Sequence, residues 1–271
     1  MVATTTQVAD IAREVGGARA GVHALLRPGT DPHDYEPRPG DARELAGAKL
    51  VLRSGGAVDA WLGRLVQSAG GGARVVSLID SVRRRGDDPH WWQDPRNGIA
   101  ATGATAAALG RADPPGRRGY ERRARVYAER LRALDRDIAA CVARVPPARR
   151  KLVTSHDALG YFTRRYGIEA VGAVIPALST QAQPSARDVE RLVRRIEREH
   201  VQAVFPESSL NPKLERALAR EAGVRVGGEL YADTLGPPGS RAGSYLGSLE
   251  ENAERIVAGM SAGGVRCHLD D

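Results

Sequence analysis

Three of the chain's six histidines sit in short polar contexts that no helix or strand core requires. They are Asp31-Pro32-His33-Asp34-Tyr35-Glu36-Pro37, Asp88-Pro89-His90-Trp91-Trp92-Gln93-Asp94-Pro95 and Ser155-His156-Asp157. A fourth context of the same kind, Leu230-Tyr231-Ala232-Asp233-Thr234-Leu235, offers a carboxylate near the C-terminus. Imidazole nitrogens and a carboxylate oxygen are the donor set of a borderline-soft divalent metal, zinc above all. The four positions are spread over the whole chain. They can serve one ion only in a fold that brings its two halves together.

A chain of 271 residues can bury one large core or two small ones. Its 42% hydrophobic and 27% charged residues are those of an ordinary globular protein. No apolar run approaches the roughly 20 residues needed to cross a bilayer. Val2-Ala3-Thr4-Thr5-Thr6 leads directly into a helical pattern, so no signal peptide is expected here. Met1 is compatible with a start placed on a mature, exported domain and with a cytoplasmic origin alike.

The net charge of +7 raises nucleic acid as a partner. Lysine, however, occurs only at Lys49, Lys151 and Lys213, and the basic excess is arginine. Arg122, Arg125, Arg130, Arg132 and Arg136 interleave with Glu121, Glu129, Asp135 and Asp137, which reads as a solvated helix face. Arg83-Arg84-Arg85 is the one short basic run. No aromatic platform or reading motif accompanies the charge, so nucleic acid is not expected. Cys141 and Cys267 are too far apart in sequence for a zinc knuckle; a disulfide and two buried thiols both remain open.

The chain reads as two similar βα halves. In the first, helical spacing covers Thr5 to Val15, Arg38 to Ala46 and Val58 to Gln67. Strand-like runs are Val22 to Leu26, Lys49 to Leu52 and Arg74 to Leu78. Gly119 to Val145 carries no internal glycine or proline and is stopped by Pro146-Pro147. Its roughly 26 residues make about 40 Å of helix. In the second half the expected strands are Lys151–Thr154, Glu169–Ile175, Gln202–Phe205 and Val224–Val226. The expected helices are Ala158–Tyr166, Ala186–Glu199 capped by Ser185, Pro212–Ala222 and Ser244–Met260. Strands alternating with helices imply parallel sheets. The fold class is therefore α/β, with two pseudo-symmetric lobes over 1–115 and 148–271, a long rigid helix over 116–147, and the metal in the interlobe cleft.

In parallel α/β sheets, binding groups gather beyond the carboxyl ends of the strands. His33, His156 and Asp233 each follow a strand in this reading. His23, inside a strand, and His200, at a helix end, are read as core histidines; His268 is read as an exposed tail residue. His33, His90, His156 and Asp233 are the candidate metal ligands.

These motifs, in order, resemble the zinc/manganese-specific solute-binding proteins of bacterial ABC importers, the ZnuA/TroA type. The likeness covers nearly the whole chain. It includes Gly29-Thr30-Asp31-Pro32-His33, the Asp88 to Pro95 segment and Thr154 to Phe162. It continues in Gln183-Pro184-Ser185, Phe205-Pro206-Glu207-Ser208-Ser209 and Gly228 to Asp233. The resemblance implies capture of Zn2+ by His33, His90, His156 and Asp233 and hand-over to a membrane permease. It implies a monomer outside the cytoplasm, in the periplasm or lipid-anchored at the cell surface. Manganese-preferring members tend to carry a carboxylate where this chain has His156. Many zinc members carry a long His-rich acidic loop before the second histidine; here it shrinks to Ser81-Val82-Arg83-Arg84-Arg85-Gly86-Asp87, which makes room for a zinc chaperone as a partner.

Two alternatives stand beside zinc capture: a manganese-binding member of the family and a zinc hydrolase. Against the hydrolase, there is no His-Glu-x-x-His, and Glu36 and Glu207 are read as residues orienting ligands rather than as general bases. A surface adhesin would share the same fold.

Overall fold

A computed structural model of the chain describes residues 1–70 and 72–269. It divides into two compact units, Met1–Ala133 and Leu134–Asp271.

The first unit opens with strand β1 (Val2–Ala3), fully buried. Thr5 accepts a hydrogen bond from the Val8 N–H and caps helix α1 (Thr6–Gly16). On α1, Val8, Ile11, Ala12 and Val15 recur at helical spacing and are all buried. Strand β2 (His23–Ala24) pairs in parallel with β1. Helix α2 (Pro39–Ala46) starts with proline in its first turn, and Asp41 Oδ2 accepts from the Arg38 N–H at 2.6 Å. Then follow strand β3 (Leu50–Arg53), helix α3 (Leu62–Ala69) and strand β4 (Arg74–Ser77). The sheet order is β2-β1-β3-β4, all parallel. Val2, Leu25, Leu26, Leu45, Val51, Leu62 and Leu65 form a core beneath it. Each such side chain contributes about 1.5–3 kcal/mol by leaving water. Helix α4 (Pro95–Ala112) is capped by Asp94, and helix α5 (Arg117–Ala143) follows. The division between units falls within α5.

The second unit repeats the plan. Its elements are strand β5 (Lys151–His156), helix α6 (Gly160–Tyr166), strand β6 (Glu169–Ile175), helix α7 (Ala186–Arg198), strand β7 (Ala203–Phe205), helix α8 (Lys213–Glu221), strand β8 (Arg225–Val226) and helix α9 (Tyr245–Met260). Ser185 and Asp188 form a reciprocal capping box on α7, and Ser244 caps α9. The order β6-β5-β7-β8 is the same permutation as in the first unit: second strand, first, third, fourth. Val153, Val171, Val174, Leu192, Ile196, Val204 and Leu218 fill its core.

Several elements depart from expectation. Val2–Ala3 is a central strand rather than a lead into helix, because β2 and β3 bond it on both sides. The expected helix over Val58 to Gln67 splits into a 3-10 turn, Gly56–Asp59, and α3. The turn lets the fully buried Asp59 carboxylate accept from Thr4 Oγ1 at 2.8 Å and from Arg53 Nη2 at 2.6 Å. Helix α4 has no counterpart among the elements expected from the sequence. The two histidines read as core are exposed. His23 sits on the edge strand β2, 3.6 Å from Glu44. His200, at φ 51°, closes α7 while the Val201 N–H reaches Ile196 O. Cys141, on α5, and Cys267 form a disulfide with Cα atoms 6.0 Å apart. None of the described helices is long and apolar enough to cross a membrane.

Candidate metal centre

Each unit presents donors at or beyond the carboxyl ends of its strands. In the first, the chain continues past β2, with Leu25 and Leu26 N–H still bonded to Ala3 O and Thr4 O, then turns through Asp31-Pro32-His33. Asp31 Oδ1 accepts the His33 N–H at 2.9 Å. The same tripeptide recurs at Asp88-Pro89-His90, where Asp88 Oδ1 accepts the His90 N–H at 3.0 Å. In both, proline fixes the middle residue and the short carboxylate closes the turn on the histidine amide. Asp88 Oδ1 also lies 2.8 Å from His90 Nδ1. A carboxylate only accepts, so Nδ1 carries the proton and Nε2 keeps its lone pair. The His90 loop is anchored by Trp91, whose Nε1–H donates to Ser54 O and Oγ at 3.2 and 3.0 Å. Trp92 packs its edge against the His90 ring, with centroids 5.4 Å apart. The outcome is that His33 Nε2 and His90 Nε2 face each other at 3.4 Å.

In the second unit, His156 is the last residue of β5 and is fully buried. Glu207, just past β7, accepts the His156 N–H at 2.9 Å and lies 2.8 Å from its Nδ1. Glu207 is itself steadied by its N–H donating to Ser155 Oγ at 3.1 Å. Asp233 follows β8 on a strand-end segment aligned by the Leu230 N–H bonding to Pro206 O. Asn252 on α9 bonds both the N–H and the carbonyl of Tyr231, at 2.8 and 2.9 Å. Asp233 Oδ2 then stands 3.3 Å from His156 Nε2. Burial opposes charge on His156, but the Glu207 and Asp233 carboxylates on either side outweigh it and raise its pKa well above the ordinary imidazole value.

The structure thus brings His33 to His90 and His156 to Asp233. Glu207 takes the orienting role expected of it, whereas Glu36 is exposed. Asp88 was missed as the partner of His90. The repeated Asp-Pro-His tripeptide was the signal that could have found it.

Parallel βα scaffolds that offer imidazole and carboxylate groups at their strand ends present the donors from which metal sites are built. The family model described as the zinc-uptake complex component A, periplasmic (ZnuA), matches residues 1–259. The manganese-binding lipoprotein MntA of Bacillus subtilis is 32% identical, over 96% of this chain and 89% of its own. The zinc-binding protein TroA of Treponema pallidum is 31% identical, over 96% and 88%. The structure of periplasmic TroA superposes with a TM-score of 0.89 at 29% identity, covering 96% of this chain and 98% of TroA. A manganese-bound periplasmic metal-binding protein from Candidatus Liberibacter asiaticus shares the fold, with a TM-score of 0.87 at 23% identity over 96% and 98%. The chain belongs to the ZnuA family, the zinc/manganese solute-binding proteins of bacterial ABC importers.

Proposed function

We propose that this protein captures Zn2+ outside the cytoplasm and delivers it to the permease of an ABC importer, with His33, His90, His156 and Asp233 as the four ligands of one ion. The observation that carries this reading is the donor spacing within each pair: 3.4 Å for His33 and His90, 3.3 Å for His156 and Asp233. Two donors about 2.05 Å from a tetrahedral zinc stand about 3.3 Å apart. Three nitrogens and one oxygen also suit zinc better than manganese.

Four protein ligands close a tetrahedral site and leave no position for an activated water, which favours capture and release over hydrolysis. Location outside the cytoplasm is supported by the lipoprotein relatives and by the Cys141–Cys267 disulfide, a bond that persists in oxidising compartments. Metal analysis of protein purified without added metal, followed by competition between zinc and manganese, tests the reading. The likeness to MntA makes manganese the rival cargo; manganese displacing zinc at equal concentration would establish it instead.

A further inference from the structure

The Asp88-Pro89-His90 turn rests at two points on the residues that follow strand β3. At one, the Trp91 Nε1–H donates to Ser54 O and Oγ, with both residues fully buried. At the other, Pro89 lies against Gly56: a Cβ on Gly56 would stand 3.0 Å from the Pro89 Cβ, at a φ of 72° that already favours glycine. One carboxylate shapes this seat. Asp59, its side chain fully buried, accepts from Thr4 Oγ1 at 2.8 Å through Oδ2. Through Oδ1 it accepts from Arg53 Nε and Nη2 at 3.1 and 2.6 Å. The Gly55 N–H reaches both oxygens, at 3.1 and 3.2 Å. A carboxylate only accepts, so the Thr4 hydroxyl turns its hydrogen to Asp59 and keeps a lone pair for the Ser54 N–H at 3.1 Å. Arg53 Nη2, drawn in by Asp59, also donates to Asp59 O and Gly56 O at 3.2 and 3.4 Å. The Ile79 N–H shares the Ser54 carbonyl at 3.0 Å, so the far side of Ser54 is held by β4 and the near side by Thr4.

We propose that Asp59 is a positioning residue for His90: by fixing Thr4, Arg53 and Gly55 it sets the seat of the His90 turn, and with it the place of the Nε2 donor. This rests on the reading of His90 as a zinc ligand. Asp88 fixes the His90 ring within its own turn, whereas the Asp59 network fixes where that turn lies on the sheet. All the side-chain and backbone groups bonded to the Asp59 carboxylate are donors. The amide of Asp59→Asn must therefore turn its NH2 against one of them and leave a buried donor without an acceptor. Ser54 then loses its fixed place, Trp91 follows it through the Nε1–H bond, and His90 is the adjoining residue. Loss of outer support of this kind weakens metal binding by about 10–100-fold.

The test uses the full chain, with zinc affinity read by chelator competition and the stability of the metal-free protein read separately by urea. Asp59→Asn and Thr4→Val should each bind zinc about tenfold more weakly, while Thr4→Ser, which keeps the hydroxyl, should bind as wild type. Trp91→Phe keeps an aromatic ring without the N–H and should also lose about tenfold. The Asp59→Asn/Trp91→Phe double variant should bind no more weakly than the weaker single one, because both act through Ser54. Asp113→Asn perturbs a different ion pair of the same unit, Arg19 Nη2 to Asp113 Oδ1 at 2.9 Å, and should leave zinc affinity unchanged whatever stability it costs. Wild-type affinity in Asp59→Asn overturns the proposal, as do fully additive losses in the double variant, a Thr4→Ser protein as weak as Thr4→Val, or an equal loss in Asp113→Asn. Should Asp59→Asn fail to fold, the Thr4→Val/Trp91→Phe double variant decides by the same additivity criterion. His90→Ala separates the two ideas: undiminished affinity there sinks the ligand assignment, while weakened affinity beside a wild-type Asp59→Asn sinks only the positioning role.

Discussion

Glu207 grips His156 at two points, its Oε1 accepting the backbone N–H at 2.9 Å while its Oε2 lies 2.8 Å from Nδ1. Asp88 does the same to His90 from two residues away. One carboxylate thereby sets both where the histidine backbone lies and which ring nitrogen is left facing away from it.

The Glu207→Gln variant keeps the shape but removes the charge and one acceptor. Zinc affinity should fall by about 10–100-fold, with the fold retained. Competition against a chromogenic chelator measures it. An affinity equal to wild type would mean that His156 is oriented by something other than Glu207.

Removing a ligand outright should cost at least as much. His90→Ala and His156→Ala should each bind zinc at least about tenfold more weakly, while circular dichroism of the metal-free protein stays unchanged. His200→Ala, at an exposed turn, should bind zinc as wild type does. Zinc should also raise the melting temperature of wild type, because it binds only the folded state. If both ligand variants are protected by zinc like the parent, the assigned site is wrong.

The raised pKa of His156 sets the pH window. An ordinary imidazole titrates near 6.5, which alone would confine proton competition to about pH 5 to 7. In the metal-free fold, burial opposes the charge, but Glu207 and Asp233 hold the proton on His156 above that range. A raised folded-state pKa stabilises the metal-free fold fully below the unfolded value, and this contribution is lost as pH rises through the folded value. Zinc requires the neutral ring, so its affinity should keep climbing above about pH 7 as that proton is released. Affinity titrations from about pH 6 to 9, by chelator competition, should show this slope in wild type and a flatter one in His156→Ala. A wild-type affinity that is level above neutrality would contradict it.

The alternation of strands and helices, the caps at Ser185 and Ser244, and the four polar contexts were all legible in the sequence. These are local signals: periodicity, capping side chains, and Asp-Pro turns. What escaped was decided by neighbours. A two-residue strand such as Val2–Ala3 has no pattern of its own and exists because β2 and β3 flank it. Helix α4 is built mostly of alanine, glycine and threonine, and so shows too little contrast between faces for its period to register. Edge placement of β2 exposes His23 although its flanks read as strand. The Glu207 pairing spans 51 residues, and nothing in the local sequence gives its geometry. Sequence could nominate the glutamate, and only the fold could join it to His156.

The disulfide provides a separate test of how the second unit is held. Cys141 and Cys267 are 126 residues apart in sequence, so the bond removes a large loop-closure entropy from the unfolded chain. The C-terminal tail is also tied by Arg144 Nη1 donating to Arg266 O at 2.9 Å and by the Leu269 N–H donating to Glu254 Oε1 at 2.7 Å. Arg144 directly follows α5 and Glu254 lies on α9, away from the strand end and segment that carry His156 and Asp233. A Cys141→Ala/Cys267→Ala double variant should therefore lose about 2–4 kcal/mol of unfolding free energy. Its zinc affinity should match wild type, since the ligand loops keep their own supports at Ser155, Glu207 and Asn252. Urea unfolding of the metal-free protein and chelator competition at fixed pH read the two quantities separately. Unchanged stability would show that Arg144 and Glu254 alone secure the tail; a loss of zinc affinity would tie the tail to the metal loops and refute their independence.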